Sequence, residues 1–105
     1  MTDGPTISTH VLDVEHGRPA AGVTVHLYRV DGDERWVGGG TTDDDGRVTR
    51  LLNSELEAGD YEIRFEVGGE FFLGLACSFR VSDTARSYHV PLIVAPYSLS
   101  TYRGS

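Results

Sequence analysis

The run Tyr61-Glu62-Ile63-Arg64-Phe65-Glu66-Val67 constrains this chain more than any other stretch. Its apolar residues recur at every second position and charged residues fill the gaps. A helix would scatter that pattern around its circumference, whereas a strand sorts it onto two faces. One face must be buried, so a second apolar layer must cover it.

The remaining sequence supplies that layer in pieces of similar length. Thr6 to Asp13 sets Ile7, Thr9 and Val11 on one side and Ser8, His10 and Leu12 on the other. Val23 to Val30 turns Val23, Val25 and Leu27 to the core, with Thr24, His26 and Tyr28 opposite. Arg35 to Thr42, Arg47 to Leu52, Phe71 to Val81, Tyr88 to Ala95 and Ser98 to Arg103 complete the predicted strands. Turn signals such as Asp31-Gly32, Asp43-Asp44-Asp45-Gly46 and Gly68-Gly69 separate them. Gly38-Gly39-Gly40 weakens the third strand and suits an edge or a bulge. Asn53 to Gly59 reads as a polar loop, and no segment sustains a helical period. Short strands at roughly 8–12-residue spacing predict an all-β sandwich.

A chain of 105 residues builds one core, so residues 1–105 are expected to form a single domain with residues 1–5 as a flexible lead-in. The formal net charge of -7 argues against nucleic acid or an anionic membrane as partner, since both demand clustered cations. The single cysteine, Cys77, rules out an internal disulfide and is expected to pack as a small apolar residue. Met1 to Pro5 has neither a basic stretch nor an apolar run, and no segment is long and apolar enough to span a bilayer. A cytoplasmic location is the expectation.

Chemistry must come from a few polar residues. His10 and His89 fall mid-strand on faces opposite the strongest apolar sets, where a half-buried, hydrogen-bonded imidazole is the ordinary alternative. His16 lies in a loop and His26 on an outer face, both expected to be exposed. No histidine pair has a tight metal-ligand spacing, no serine sits in a nucleophile elbow, and no glycine-rich loop opens a helix. General acid–base chemistry fits better, because imidazole titrates near neutrality. Arg47, delivered by the acidic turn, could clamp a planar anion and stabilise an oxyanion, or could simply pair with Asp43, Asp44 or Asp45. The end of the chain, Tyr97 to Ser105, is dense in hydrogen-bonding groups where a frayed polar tail is usual.

Five stretches together resemble the transthyretin-like 5-hydroxyisourate hydrolases. They are Ile7-Ser8-Thr9-His10-Val11-Leu12-Asp13, Gly17-Arg18-Pro19-Ala20, Asp45-Gly46-Arg47, His89-Val90-Pro91-Leu92 and Ser100-Thr101-Tyr102-Arg103-Gly104-Ser105. The resemblance covers nearly the whole chain, and the terminal Tyr-Arg-Gly-Ser separates these hydrolases from the hormone carrier of the same fold. It implies an eight-stranded, two-sheet β-sandwich of Greek-key type with a short or absent helix, assembled as a homotetramer. It further implies hydrolysis of 5-hydroxyisourate in a channel between subunits, without metal or organic cofactor. Carried over by position, His10, Arg47 and His89 would be catalytic, and Tyr102 and Ser105 would bind substrate. A carrier using the same channel without chemistry is the alternative, and a structural sandwich domain a third. The chain departs from the family where Gly68-Gly69-Glu70 replaces a short helix. It departs also at Leu73 and Leu99, and at Ser87-Tyr88-His89, which keeps one histidine of a usual pair.

Overall fold

The computed structural model describes residues 4–104. Ten strands run in chain order: β1 (Ile7–Asp13), β2 (Arg18–Pro19), β3 (Thr24–Arg29), β4 (Arg35–Thr41), β5 (Arg47–Val48), β6 (Gly59–Glu66), β7 (Gly74–Val81), β8 (Tyr88–His89), β9 (Leu92–Ala95) and β10 (Ser98–Thr101). No helix occurs among the described residues. Strands β4-β3-β6-β7 form one antiparallel sheet. In the other, β1 is central: β8 and β9 run parallel to it on one side, β2 and β5 antiparallel on the other, and β10 closes the edge beyond β9.

The expected phases hold. Ile7 and Val11 of β1, Val25 and Leu27 of β3, Ile63 and Phe65 of β6 and Leu92 of β9 meet between the sheets with almost no exposed surface. Their burial drives the fold, and truncating any one to Ala would cost about 2–5 kcal/mol. Arg29 shares the phase of the core and is buried at its edge. It donates to Asp31 (2.8 Å) and Glu57 (3.1 Å) and stacks over Tyr61, so its charge is paired where it leaves water.

The strand count differs from eight for local reasons. Pro91 has no amide hydrogen, so the strand expected over Tyr88 to Ala95 divides into β8 and β9. The strand expected over Arg47 to Leu52 shortens to β5 because the chain there crosses between sheets: Val48 pairs with Thr9, whereas Leu52 bridges to Gly38. Arg18–Pro19, which lies between the predicted strands, pairs with the end of β1. Phe71 to Leu73 belong to a turn rather than to β7, because the Val67 and Gly68 amides both donate to the Leu73 carbonyl. Leu73 consequently stands 77% exposed. Cys77 is half-buried, less enclosed than its neighbours suggested, because β7 is the open edge of its sheet. The glycine run of β4 lies on the other edge, and the register slips between Leu27 and Tyr28 opposite it.

Candidate active site

Alternation along β1 turns Ile7, Thr9 and Val11 inward and leaves Ser8, His10 and Leu12 on the sheet's outer face. The two flanking strands then bring the other polar residues to that face. Across one side of β1, His10 is the direct partner of Arg47. Across the other, Ser8 is the partner of His89. The pairing is fastened beneath the face: the Tyr88 amide donates to the Thr6 carbonyl (2.8 Å), the Val90 amide to Ser8 (2.9 Å), and the buried Thr9 hydroxyl to Val90 (2.6 Å).

Arg47 owes its position to the turn before it. The Val11 amide donates to the Gly46 carbonyl (2.7 Å), which draws the turn against β1. Gly46 adopts φ +76°, and a Cβ there would collide with the Val11 carbonyl oxygen, so only glycine fits. Asp43 accepts from the Asp45 amide (2.9 Å) and the Arg47 amide (3.0 Å) through one carboxylate oxygen. One carboxylate oxygen of Asp43 is thus engaged by the backbone. Among the described residues the Arg47 guanidinium forms no ion pair, which removes the alternative of a purely structural pairing with the acidic turn.

Both histidines keep capacity in reserve. His10 Nε2 is buried with no hydrogen-bond partner among the described residues. His89 Nδ1 lies 2.9 Å from Ser8 Oγ. Burial, reinforced by the positive charges of Arg47 and His10, holds the His89 imidazole below the usual histidine range. A group so placed stays neutral near pH 7 and can accept a proton. A neutral imidazole, a second imidazole and an unpaired guanidinium on one face can activate water and stabilise negative charge developing on a carbonyl oxygen.

The tail is only partly drawn in. Gly104 bridges to His89, donating its amide to the His89 carbonyl (2.8 Å). Arg103 lies over the Tyr88 ring, 4.6 Å from its centroid. Tyr102 is 51% exposed and borders a cavity of about 210 Å³ with Cys77, Phe79 and Val90. It makes no hydrogen bond to His10, Arg47 or His89 among the described residues. Ser105 lies outside the described residues, as do positions 1–3. Neither this cavity nor the larger one of about 350 Å³ beside Asp13 and Glu70 is lined by His10, Arg47 or His89. They share the outer face of the sheet built on β1.

Two contributors were not singled out from sequence: Ser8 and Gly104. The outward phase of Ser8 was visible, but its partner is 81 positions away, and only the parallel pairing of β1 with β8 joins them. His16 was expected to be exposed, and it is. With Asp13 and Glu15 it forms a surface cluster whose ligand atoms lie within 4.8 Å of one another, and Asp13 already accepts its hydrogen bond.

In sequence and fold the chain is similar to known proteins. The family described as "Transthyretin: HIUase/Transthyretin family" matches residues 7–104. A 5-hydroxyisourate hydrolase from Deinococcus radiodurans is 42% identical over 120 aligned positions, covering 100% of both chains. That alignment is longer than this chain, so the relative carries residues this one lacks. A Klebsiella pneumoniae 5-hydroxyisourate hydrolase structure superposes with a TM-score of 0.82 at 35% identity, covering 95% of this chain and 99% of that one. Sea bream transthyretin, solved with thyroxine, gives a TM-score of 0.84 at 23% identity over 93% of each chain, a likeness of fold. By sequence along nearly its whole length and by architecture, the chain belongs to the HIUase/Transthyretin family.

Proposed function

We propose that this protein hydrolyses 5-hydroxyisourate to 2-oxo-4-hydroxy-4-carboxy-5-ureidoimidazoline, a step of urate breakdown. The observation that carries the reading is the placement of Arg47 and His89 on either side of β1, beside His10, with Arg47 in no ion pair among the described residues. The names of the full-length relatives point to the same substrate.

In this mechanism Arg47 binds the planar, electron-rich substrate and polarises the ring carbonyl. An imidazole takes a proton from water as the water oxygen bonds to the carbonyl carbon. The guanidinium stabilises the resulting oxyanion. Collapse breaks the carbon–nitrogen bond of the pyrimidine ring, and the departing nitrogen receives a proton from the histidine pair. The products are a carboxylate and a ureido group, so atoms balance with water as the only co-reactant. His89 suits the first proton transfer because it is neutral, leaving His10 to serve the second. Tyr102 and Ser105 are proposed to bind substrate at the edge of the site.

Catalytic sites gain from enclosure. A homotetramer in which two such faces meet would supply it, making the pocket a property of the assembly. The reading places one domain, residues 1–105, in each subunit, in the cytoplasm. Among the described residues no helix is long and apolar enough to cross a membrane.

The test is direct. Urate oxidase generates 5-hydroxyisourate in situ, and its ultraviolet decay is followed with and without this protein. Acceleration proportional to protein concentration is expected. Decay at the spontaneous rate would overturn the hydrolase reading and favour a carrier of small aromatic ligands. Sedimentation showing only monomer at assay concentration would overturn the shared-pocket mechanism.

A further inference from the structure

His89 is gripped from two sides by residues with no assigned role. On one edge of its ring, Nδ1 sits 2.9 Å from Ser8 Oγ. On the other edge the ring rests on Gly104. A Cβ built on Gly104 would stand 2.6 Å from His89 Cδ2 and 3.2 Å from Cγ, closer than side-chain contacts allow. The Gly104 φ is not in the left-handed region, so the requirement for glycine here is one of space, not of backbone conformation. Of the five imidazole vertices, Cγ is bonded to Cβ, Nδ1 is fastened and Cδ2 is floored. Among the described residues nothing bonds Nε2, which with Cε1 is left to meet substrate.

We propose that Ser8 and Gly104 form a positioning clamp for His89, in which Nδ1–H donates to Ser8 Oγ and the bare Nε2 lone pair is presented as the base. A serine hydroxyl can accept or donate, so the bond alone permits either tautomer. The surroundings choose. Arg47 places positive charge near the ring, and an outward lone pair is favoured there over an outward N–H. The tautomer of an imidazole is set by the bond its other nitrogen makes, and Ser8 makes it here. Gly104 prevents the ring from tilting off that bond. The last residues before the terminus thus contribute through the absence of a side chain as well as through their polar groups.

The kinetic part of this inference rests on the hydrolytic reading, whereas the tautomer does not. Long-range ¹⁵N–¹H correlation spectra of histidine-labelled full-length protein, above the His89 titration, should show a protonated Nδ1 and a pyridine-type Nε2. Ser8→Ala should abolish that preference and lower kcat about tenfold with KM nearly unchanged, a partial loss of the acid–base contribution. Ser8→Thr, which keeps the hydroxyl, should restore both. Gly104→Ala, a second variant far from β1, should displace the ring and lower kcat in the same direction. A wild-type spectrum with the proton on Nε2 would overturn the assignment. So would Ser8→Ala and Gly104→Ala proteins that keep the wild-type tautomer and turn over within twofold of the parent. Because the spectra need no substrate, a wrong substrate would leave the tautomer result standing, and a wrong tautomer would leave the assay result standing.

Discussion

The two outer faces of the sandwich carry the same kinds of residue and put them to opposite use. On the β3–β6 face, His26 accepts from the Trp36 indole at Nδ1 (3.3 Å) and reaches Glu66 through Nε2 (3.0 Å). Arg64 donates to Glu62 (2.6 Å) and Glu34 (2.7 Å) and stacks over Tyr28, 3.9 Å from the ring centroid. Each cationic group there is consumed by its neighbours. On the β1 face, among the described residues, His10 Nε2 has no partner, Arg47 has no ion pair and His89 is bonded through Nδ1 alone. A histidine and an arginine on a strand face are therefore not a site in themselves. The site is the face on which their bonding capacity is left over.

Breaking the comparison most severely means truncating matched residues on the two faces. His89→Ala should lower turnover of 5-hydroxyisourate by about 100-fold or more, the usual range for a general base. Arg47→Ala should cost about 100- to 1,000-fold, as for loss of an oxyanion donor. His26→Ala should leave turnover within about twofold, since removing an imidazole that already spends both nitrogens locally takes nothing from the reaction. The in-situ ultraviolet assay measures all three. Equal losses at His26 and His89 would show that the unspent face has no special standing.

Much of this contrast was legible in the sequence, and the illegible part has a physical cause. Strict alternation in β6 and β1 set the fold class and placed His10 outward, because a period of two admits no other burial. The division at Pro91 falls outside that reading: the expected strand runs unbroken from Tyr88 to Ala95, although the missing amide hydrogen is a property of the residue. What a linear reading could not decide was whether Arg47 was free. Three aspartates precede it, and only the turn geometry reveals that Asp43 engages one carboxylate oxygen with backbone amides. The apolar Phe71-Phe72-Leu73 run looked like the start of a strand. It is a turn, with Phe71 against Phe72 edge-on and against Tyr97 at 6.0 Å, so its apolar surface is partly covered without entering the sheet. Ser8 and Gly104 were invisible as contributors because each acts through His89, across strand pairings that no local pattern encodes.

The comparison sharpens with pH. His89 has its pKa lowered first by burial and then by Arg47 and His10. A base with a depressed pKa remains neutral to more acidic pH, so the acid limb of kcat/KM should inflect below the ordinary histidine value of 6.5. The folded state resists protonation that the unfolded chain accepts. The linked stability is therefore fully present above about pH 6.5 and is lost as pH falls through the folded value. Arg47→Gln removes one of the charges responsible and should move the residual acid limb to higher pH, whereas Arg47→Lys keeps the charge and should move it little. An inflection above 6.5 in the parent protein would mean that a different group, or a protonated His89, carries the limb.

The smallest effect is expected where the interactions are most numerous. Arg64 joins two carboxylates and an aromatic ring, and the carboxylates raise its pKa, Glu62 through the leading hydrogen bond. Yet the side chain is solvent-accessible, and exposed ion pairs gain little because water and salt screen them and ordering a long side chain costs entropy. Arg64→Ala should therefore lower Tm by a few degrees at most, on the order of what a small domain shows for a minor surface change, and less in high salt than in low. Turnover should not change. The stack on Tyr28 adds a part that salt screens less, so a small residual loss in high salt would be assigned to the ring and the salt-sensitive remainder to Glu34 and Glu62. A large Tm loss insensitive to salt would instead mean that this face is energetically coupled to the core, and that its satisfied network supports the sheet opposite the active face.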